Sequence, residues 1–302
     1  MTRRQGADQL LLLAVTVSLI AAATSQDNGE KAAQLKSQVS GTLSDAQPFQ
    51  AASTRVDASA SQGLLASSTP GRPTVGGTVQ RGILRLGLSS SSRDGYLFVP
   101  SSYDPAKGAP MIVALHGSGK GGLDALGVLY DQANSAGIIV LAPDSCGTTW
   151  DRLQGANGVF GPDIAFIGAA MTETFALYNV DPARLAIQGF SDGATYALAL
   201  GMLNTRLFKK IMANSPGGVI DGCSMQGSLP IFMSAGLQDD IFPINVAGNP
   251  TACYLRTLGY SVTYIQFTGK HEVPPQIATD TVQFFLGTFS STGSFPAGIC
   301  TA

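Results

Sequence analysis

Ser191 sits in the stretch Gly189-Phe-Ser-Asp-Gly193, and the chain carries two histidines, His116 and His271. A serine becomes a nucleophile when a base takes its proton, and near neutral pH that base is most often histidine. Any such chemistry here has two candidate bases. The pentapeptide is weak evidence alone, because 36 glycines in 302 residues bring G-x-S-x-G close to what chance supplies. Context has to decide. RLAIQGF, residues 184–190, reads as a buried strand, and Gly193–Leu203 reads as a helix. A serine at such a strand-to-helix turn projects its Oγ above the sheet, and glycines on either side let strand and helix approach. The Asp192 N–H then lies at a helix start, where it can donate to a developing oxyanion. The Asp192 carboxylate is too close to Ser191 to orient a histidine from across the site.

Three other segments carry matching chemistry. LHGSGKGG, residues 115–122, follows the apolar run MIVAL, and its small residues allow backbone N–H groups to turn into a site. Ser118 is the expected second oxyanion donor. A phosphate loop is excluded, since the G-x-x-x-x-G-K-[ST] spacing is missing. SAGLQDDIFPI places Asp239 and Asp240 just past the strand LPIFM, where a carboxylate can face a histidine. QFTGKHEVPP places His271 between a strand and a helix, whereas His116 is tucked beside its own strand, so His271 is the expected base. Serine, then aspartate, then histidine, each on a separate strand-end loop, is the triad order of α/β-hydrolases.

The elements that must hold these residues alternate. RGILRL and DGYLFVP predict two edge-type strands. MIVAL, GIIVLAP, RLAIQGF, KKIMANSP, LPIFMSAG and SVTYIQF are short apolar runs closed by glycine, proline or small polar residues. Continuous apolar strands are expected where helices cover both faces of a parallel sheet. Helices are predicted over Leu123–Ala136, Asp163–Tyr178, Gly193–Leu203, Pro250–Leu258 and Val273–Leu286. The fold class is therefore an open α/β sheet in one domain over residues 77–290, followed by a tail at 291–302. Only a short loop separates KKIMANSP from LPIFM, so little or no cap is expected over the site. Trp150, the single tryptophan, lies in the loop Asp144–Pro162 and reads either as a wall of the pocket or as ordinary packing.

The apolar fraction of 44% supports a large core, and a net charge of −2 implies no basic face for nucleic acid. Arg3 and Arg4 precede an apolar run from Leu10 to Ala23, the pattern of a signal peptide over residues 1–25 and too short for a stable membrane span. An organelle transit peptide is the alternative. Residues 26–76 are rich in Ala, Ser, Gln, Gly and Thr and are expected to form a disordered linker or propeptide. In an oxidising compartment Cys146, Cys223, Cys253 and Cys300 read as two disulfides with three possible pairings, or else as buried thiols. No Cys/His spacing suits a metal.

From about Asp94 to Gly287 the chain resembles carboxylesterase/phospholipase-type serine esterases of the α/β-hydrolase superfamily. It is most similar to polyhydroxybutyrate-depolymerase-like and feruloyl-esterase-like enzymes. LHGSG, the run PDIAFIGAAMTETFALYNVDPARLAIQGFSDGA, the block GLQDDIFP, and GKH carry the resemblance. It implies Ser191 as nucleophile and His271 as base. It implies Asp239 as acid, because Pro243 stands four residues on, and the backbones of Ser118 and Asp192 as oxyanion donors. The chain has Ala235-Gly236 where that block often begins His-Gly. The implied substrate is a small or oligomeric ester, with no cofactor and no metal. A peptidase or thioesterase on the same fold, or a non-catalytic binding protein, are the competing expectations.

Overall fold

The computed structural model describes residues 26–43, 62–67, 69–71, 73, 79–89, 93–154, 159–220, 222, 229–290 and 295–300. The expected signal segment, Cys223 and most of the 221–228 loop lie outside them. A nine-stranded sheet runs in the order β1-β2-β3-β5-β4-β6-β7-β8-β9. Its strands are β1 (Val39–Thr42), β2 (Gly82–Arg85), β3 (Gly95–Val99), β4 (Ala109–Leu115), β5 (Ile139–Pro143), β6 (Val180–Phe190), β7 (Lys210–Asn214), β8 (Ile231–Gly236) and β9 (Val262–Phe267). From β5 to β9 every neighbour pairs parallel, while β3 runs antiparallel to both β2 and β5. The expected strands and helices all form, with ends displaced by up to a few residues; β6, for example, starts at Val180 before the apolar run.

Strand periodicity builds two cores. On β4, Met111, Val113 and Leu115 face one side of the sheet, while Ile112 and Ala114 face the other. Among the described residues six α-helices cover the faces: α1 (Gln26–Lys36), α2 (Gly122–Ala136), α3 (Pro162–Leu177), α4 (Asp192–Leu203), α5 (Gly248–Thr257) and α6 (Pro275–Leu286). Residues of α3, α4 and α5 pack on the first side, and residues of α1, α2 and α6 pack on the second. Both faces are buried, which is why β4 and β5 are apolar along their whole length. Among the described residues no helix lies between β7 and β8.

Of the segment 26–76, expected from the sequence to be a disordered linker or propeptide, residues 26–43 are ordered as α1 and β1, a correction for those residues. Leu35 of α1 is fully buried, and Lys31 pairs with Asp131 of α2 at 2.9 Å while lying 5.4 Å from the Tyr130 ring centre. β1 extends the sheet by pairing parallel with β2, Val39 opposite Ile83. The low apolar content was read as insufficient to offset ordering entropy, which holds for an isolated segment. Here the segment joins an edge that already exists, so two buried leucines, Leu35 and Leu43, and main-chain bonding to β2 order it. Farther on, Asn204 fastens the chain at both ends of a turn, donating to the Gly63 carbonyl and accepting from the Leu65 N–H at 2.9 Å each.

Cys253 on α5 is disulfide-bonded to Cys300, which ties residues 295–300 to the domain. Cys146 carries a free, exposed thiol, so one of the two expected disulfides is present among the described residues. No helix among them is long and apolar enough to cross a membrane.

Candidate active site

Three loops at the carboxyl ends of β6, β8 and β9 bring Ser191, Asp239 and His271 together. Ser191 occupies φ 58°, ψ −124°, a backbone conformation that non-glycine residues seldom adopt. Such strain costs about 1–3 kcal/mol and persists only where the surroundings enforce it. Its N–H donates to the Asn214 carbonyl at the end of β7. The flanking glycines have a steric reason. A Cβ on Gly189 would come within 2.1 Å of the Gly193 carbonyl oxygen, and one on Gly193 within 2.3 Å of the Leu115 carbonyl oxygen. A side chain at either position would push strand, helix and oxyanion turn apart.

His271 Nε2 lies 2.8 Å from Ser191 Oγ, and Nδ1 lies 2.8 Å from Asp239 Oδ2. Asp239 is buried, and its other oxygen accepts the N–H groups of Ile241 and Phe242 at 3.0 and 2.7 Å. Asp240 is exposed and takes no part, so the geometry selects Asp239 of the two loop acids. The imidazole is held between Phe190, 4.9 Å between ring centres, and Phe242 at 5.1 Å edge-on. It is 3% exposed, so water does not compete for its two polar contacts. With Nδ1–H directed to the carboxylate, Nε2 is left as the acceptor for the serine proton.

The turn after β4, residues 116–121, abuts Ser191: a Cβ on Gly117 would sit 3.2 Å from Ser191 Cβ. Asp192 opens α4. His116 is buried, and burial pushes its pKa down to about 4, leaving the ring neutral. Its contacts fix the tautomer: Nδ1–H donates to the Gly117 carbonyl at 2.8 Å, and Nε2 accepts the Ser145 N–H at 2.9 Å. Arg93 ties the same turn to its neighbour, donating to the carbonyls of Lys120 and Ser145 and to Ser145 Oγ.

Trp150 is fully buried, stacked between His116 and Tyr196 with ring centres 4.7 and 5.3 Å away, and its indole N–H donates to the His116 carbonyl at 2.9 Å. It therefore packs behind the turn after β4, with no exposed face of its own. The sequence reading also valued Asp192 for its N–H alone. Its carboxylate accepts the Thr149 hydroxyl at 2.6 Å. Among the described residues no group of three His, Cys, Asp or Glu side chains is placed to hold a metal ion.

Six parallel strands, a strained serine between strand and helix, and an aspartate and a histidine on the loops after β8 and β9 decide the architecture. The chain has the α/β-hydrolase fold. Solved structures agree. A thermostable esterase superposes with a TM-score of 0.54 at 20% identity, over 69% of this chain and 62% of that one. A ferulic acid esterase of Anaeromyces mucronatus superposes with a TM-score of 0.51 at 17% identity, over 74% and 98%. No family model matches the sequence. By sequence the chain is 28% identical over 171 residues to feruloyl esterase C of Emericella nidulans, covering 51% of this chain and 58% of that protein. It is 27% identical over 184 residues to a probable feruloyl esterase C of Aspergillus clavatus, covering 56% and 61%. The chain thus spans about three fifths of the length of the relatives it matches, in line with the feruloyl-esterase-like resemblance drawn from its motifs.

Proposed function

We propose that the protein is a serine carboxylic-ester hydrolase that works through an acyl-enzyme. The observation that carries this is the unbroken chain from Ser191 Oγ through His271 to Asp239, buried, with 2.8 Å at each link. As Ser191 Oγ attacks the ester carbonyl carbon, His271 Nε2 takes its proton. The carbonyl oxygen becomes an oxyanion and accepts from the N–H groups of Ser118 and Asp192, each such donor contributing about 3–4 kcal/mol in comparable sites. Collapse expels the alcohol, which receives the proton from His271. Water then attacks the acyl carbon with His271 again as base, releasing the acid and restoring Ser191. Asp239 holds the ring in the productive tautomer and stabilises the imidazolium. No cofactor or metal enters the scheme.

Relatives named feruloyl esterase C make aromatic acyl esters the first substrates to try. The apolar segment at Leu10–Ala23 and the Cys253–Cys300 disulfide support export from the reducing cytosol. The test is covalent labelling with a fluorophosphonate probe together with a panel of aryl esters, acyl-thioesters and peptides. Labelling that vanishes in Ser191→Ala, with esters turned over fastest, is the expected result. Folded wild-type protein that does not label, or a panel led by peptides or thioesters, overturns the proposal.

A further inference from the structure

We infer that Thr149 and Trp150 are positioning residues that fix the spacing between the two oxyanion donors; the inference rests on the esterase proposal above. The two halves of the oxyanion hole lie on different elements: Ser118 on the turn after β4, and Asp192 at the start of α4. Gly117 and Ser191 touch, and a Cβ on Gly117 would lie 3.2 Å from Ser191 Cβ, so no side chain separates the halves from within. Main-chain contact sets how closely they approach, and holding that contact falls to side chains behind them.

Two consecutive residues do this, each donating to one half. Thr149 Oγ1 donates to Asp192 Oδ2 at 2.6 Å, and both side chains are buried. Trp150 Nε1 donates to the His116 carbonyl at 2.9 Å. The preceding residue adds a third tie, because the Thr148 carbonyl accepts the Gly119 N–H at 2.7 Å. Ser118 is thereby bracketed by His116 and Gly119, both bonded to one three-residue stretch that also holds Asp192.

That stretch is itself anchored to the nucleophile helix. Tyr196, one turn along α4 from Ser191, donates to Asp151 at 2.8 Å and stacks on Trp150. Asp163, at the start of α3, accepts the Asp151 N–H at 2.7 Å, and Asp151 accepts the Asp163 N–H at 2.9 Å in return. A hydrogen-bond donor aimed at an oxyanion loses its advantage when displaced by a fraction of an ångström, so a clamp of this kind acts on the transition state more than on the bound substrate.

The test compares Thr149→Val, Thr149→Ser and Trp150→Phe with wild type, using an aryl ester and a boronic acid that forms a tetrahedral adduct on the serine. Thr149→Val is expected to lower kcat about tenfold with KM within twofold, and to weaken the boronic acid by the same factor. Thr149→Ser restores both, and Trp150→Phe shifts kcat in the same direction as Thr149→Val. Where Thr149→Val does not fold, Trp150→Phe carries the measurement. An active wild type whose Thr149→Val variant keeps kcat within twofold overturns this inference alone. So does a loss shared by kcat, KM and thermal midpoint that Thr149→Ser leaves unrepaired. Wild-type protein that neither labels nor turns over esters overturns the esterase proposal, and this inference with it.

Discussion

The turn after β4 and the loop after β9 each present one buried histidine at the same end of the sheet, and they use it in opposite ways. His116 bonds through both ring nitrogens to main-chain groups, the Gly117 carbonyl and the Ser145 N–H, with Arg93 Nη2 a more distant 3.5 Å from Nε2. His271 spends both on side chains, Asp239 and Ser191. A nitrogen that accepts a main-chain N–H cannot relieve a reacting group of its proton. A nitrogen that faces a hydroxyl, with a carboxylate behind the ring, can. Burial is common to both, so exposure does not tell a structural histidine from a general base. The chemical type of the partners does.

Substitution of the two histidines breaks the comparison most directly. His271→Ala and Ser191→Ala are each expected to lower kcat by roughly 10⁵–10⁶-fold, since the members of such a unit fail together. His116→Gln, which keeps an acceptor near the Ser145 N–H, can disturb no more than the placement of the oxyanion turn. Its loss is bounded by that of a whole donor, about 10²–10³-fold. Steady-state kinetics on an aryl ester decide it, and equal losses for His116→Gln and His271→Ala would refute the division of roles. One step smaller is Asp239→Asn, expected to lower kcat about 10⁴-fold by presenting the wrong tautomer while the geometry holds. A loss under tenfold would show that the Asp239 link is not used.

Much of this was legible in the sequence because the signals are local. Apolar runs closed by glycine or proline marked the central strands, and Ser191, Asp239 and His271 fell in that order on separate strand-end loops. The family resemblance, through Pro243, favoured Asp239 over Asp240, and Asp239 is the one that lies 2.8 Å from His271. What escaped is non-local. The Trp150–His116 bond joins positions 34 apart and the Thr149–Asp192 bond positions 43 apart, and no periodicity marks either. One cue was present: a buried tryptophan needs an acceptor for its N–H. α1 and β1 were hidden for another reason. The average composition of residues 26–76 conceals two well-placed leucines, Leu35 and Leu43, and an edge strand that needs main-chain bonds more than apolar side chains.

Acid stability separates the histidines a second way. The His116 pKa falls from 6.5 to about 4 on folding, through burial. Between those values the unfolded chain binds the extra proton, so this contribution is fully present above about 6.5 and is lost as pH falls toward about 4. At 1.36 kcal/mol per unit it amounts to roughly 3 kcal/mol. Asp124 and Asp163 are raised by burial and act in the opposite sense, through carboxyl groups that hold their protons longer when folded. The difference between wild type and His116→Gln isolates the histidine. Urea midpoints at pH 7 and pH 4.5 should converge in the variant. An unchanged acid slope would show that His116 is not buried neutral.

Asp240→Asn is the smallest change and the sharpest on the acid loop. Asp240 carries the same charge as Asp239 one residue away, but it is exposed, and water screens its field. In the variant kcat should stay within about twofold, as for a surface charge that touches neither serine nor imidazole. A tenfold fall in kcat would mean that the loop can present either acid to His271. The two N–H bonds from Ile241 and Phe242 that lock Asp239 inward would then be too weak to choose between them.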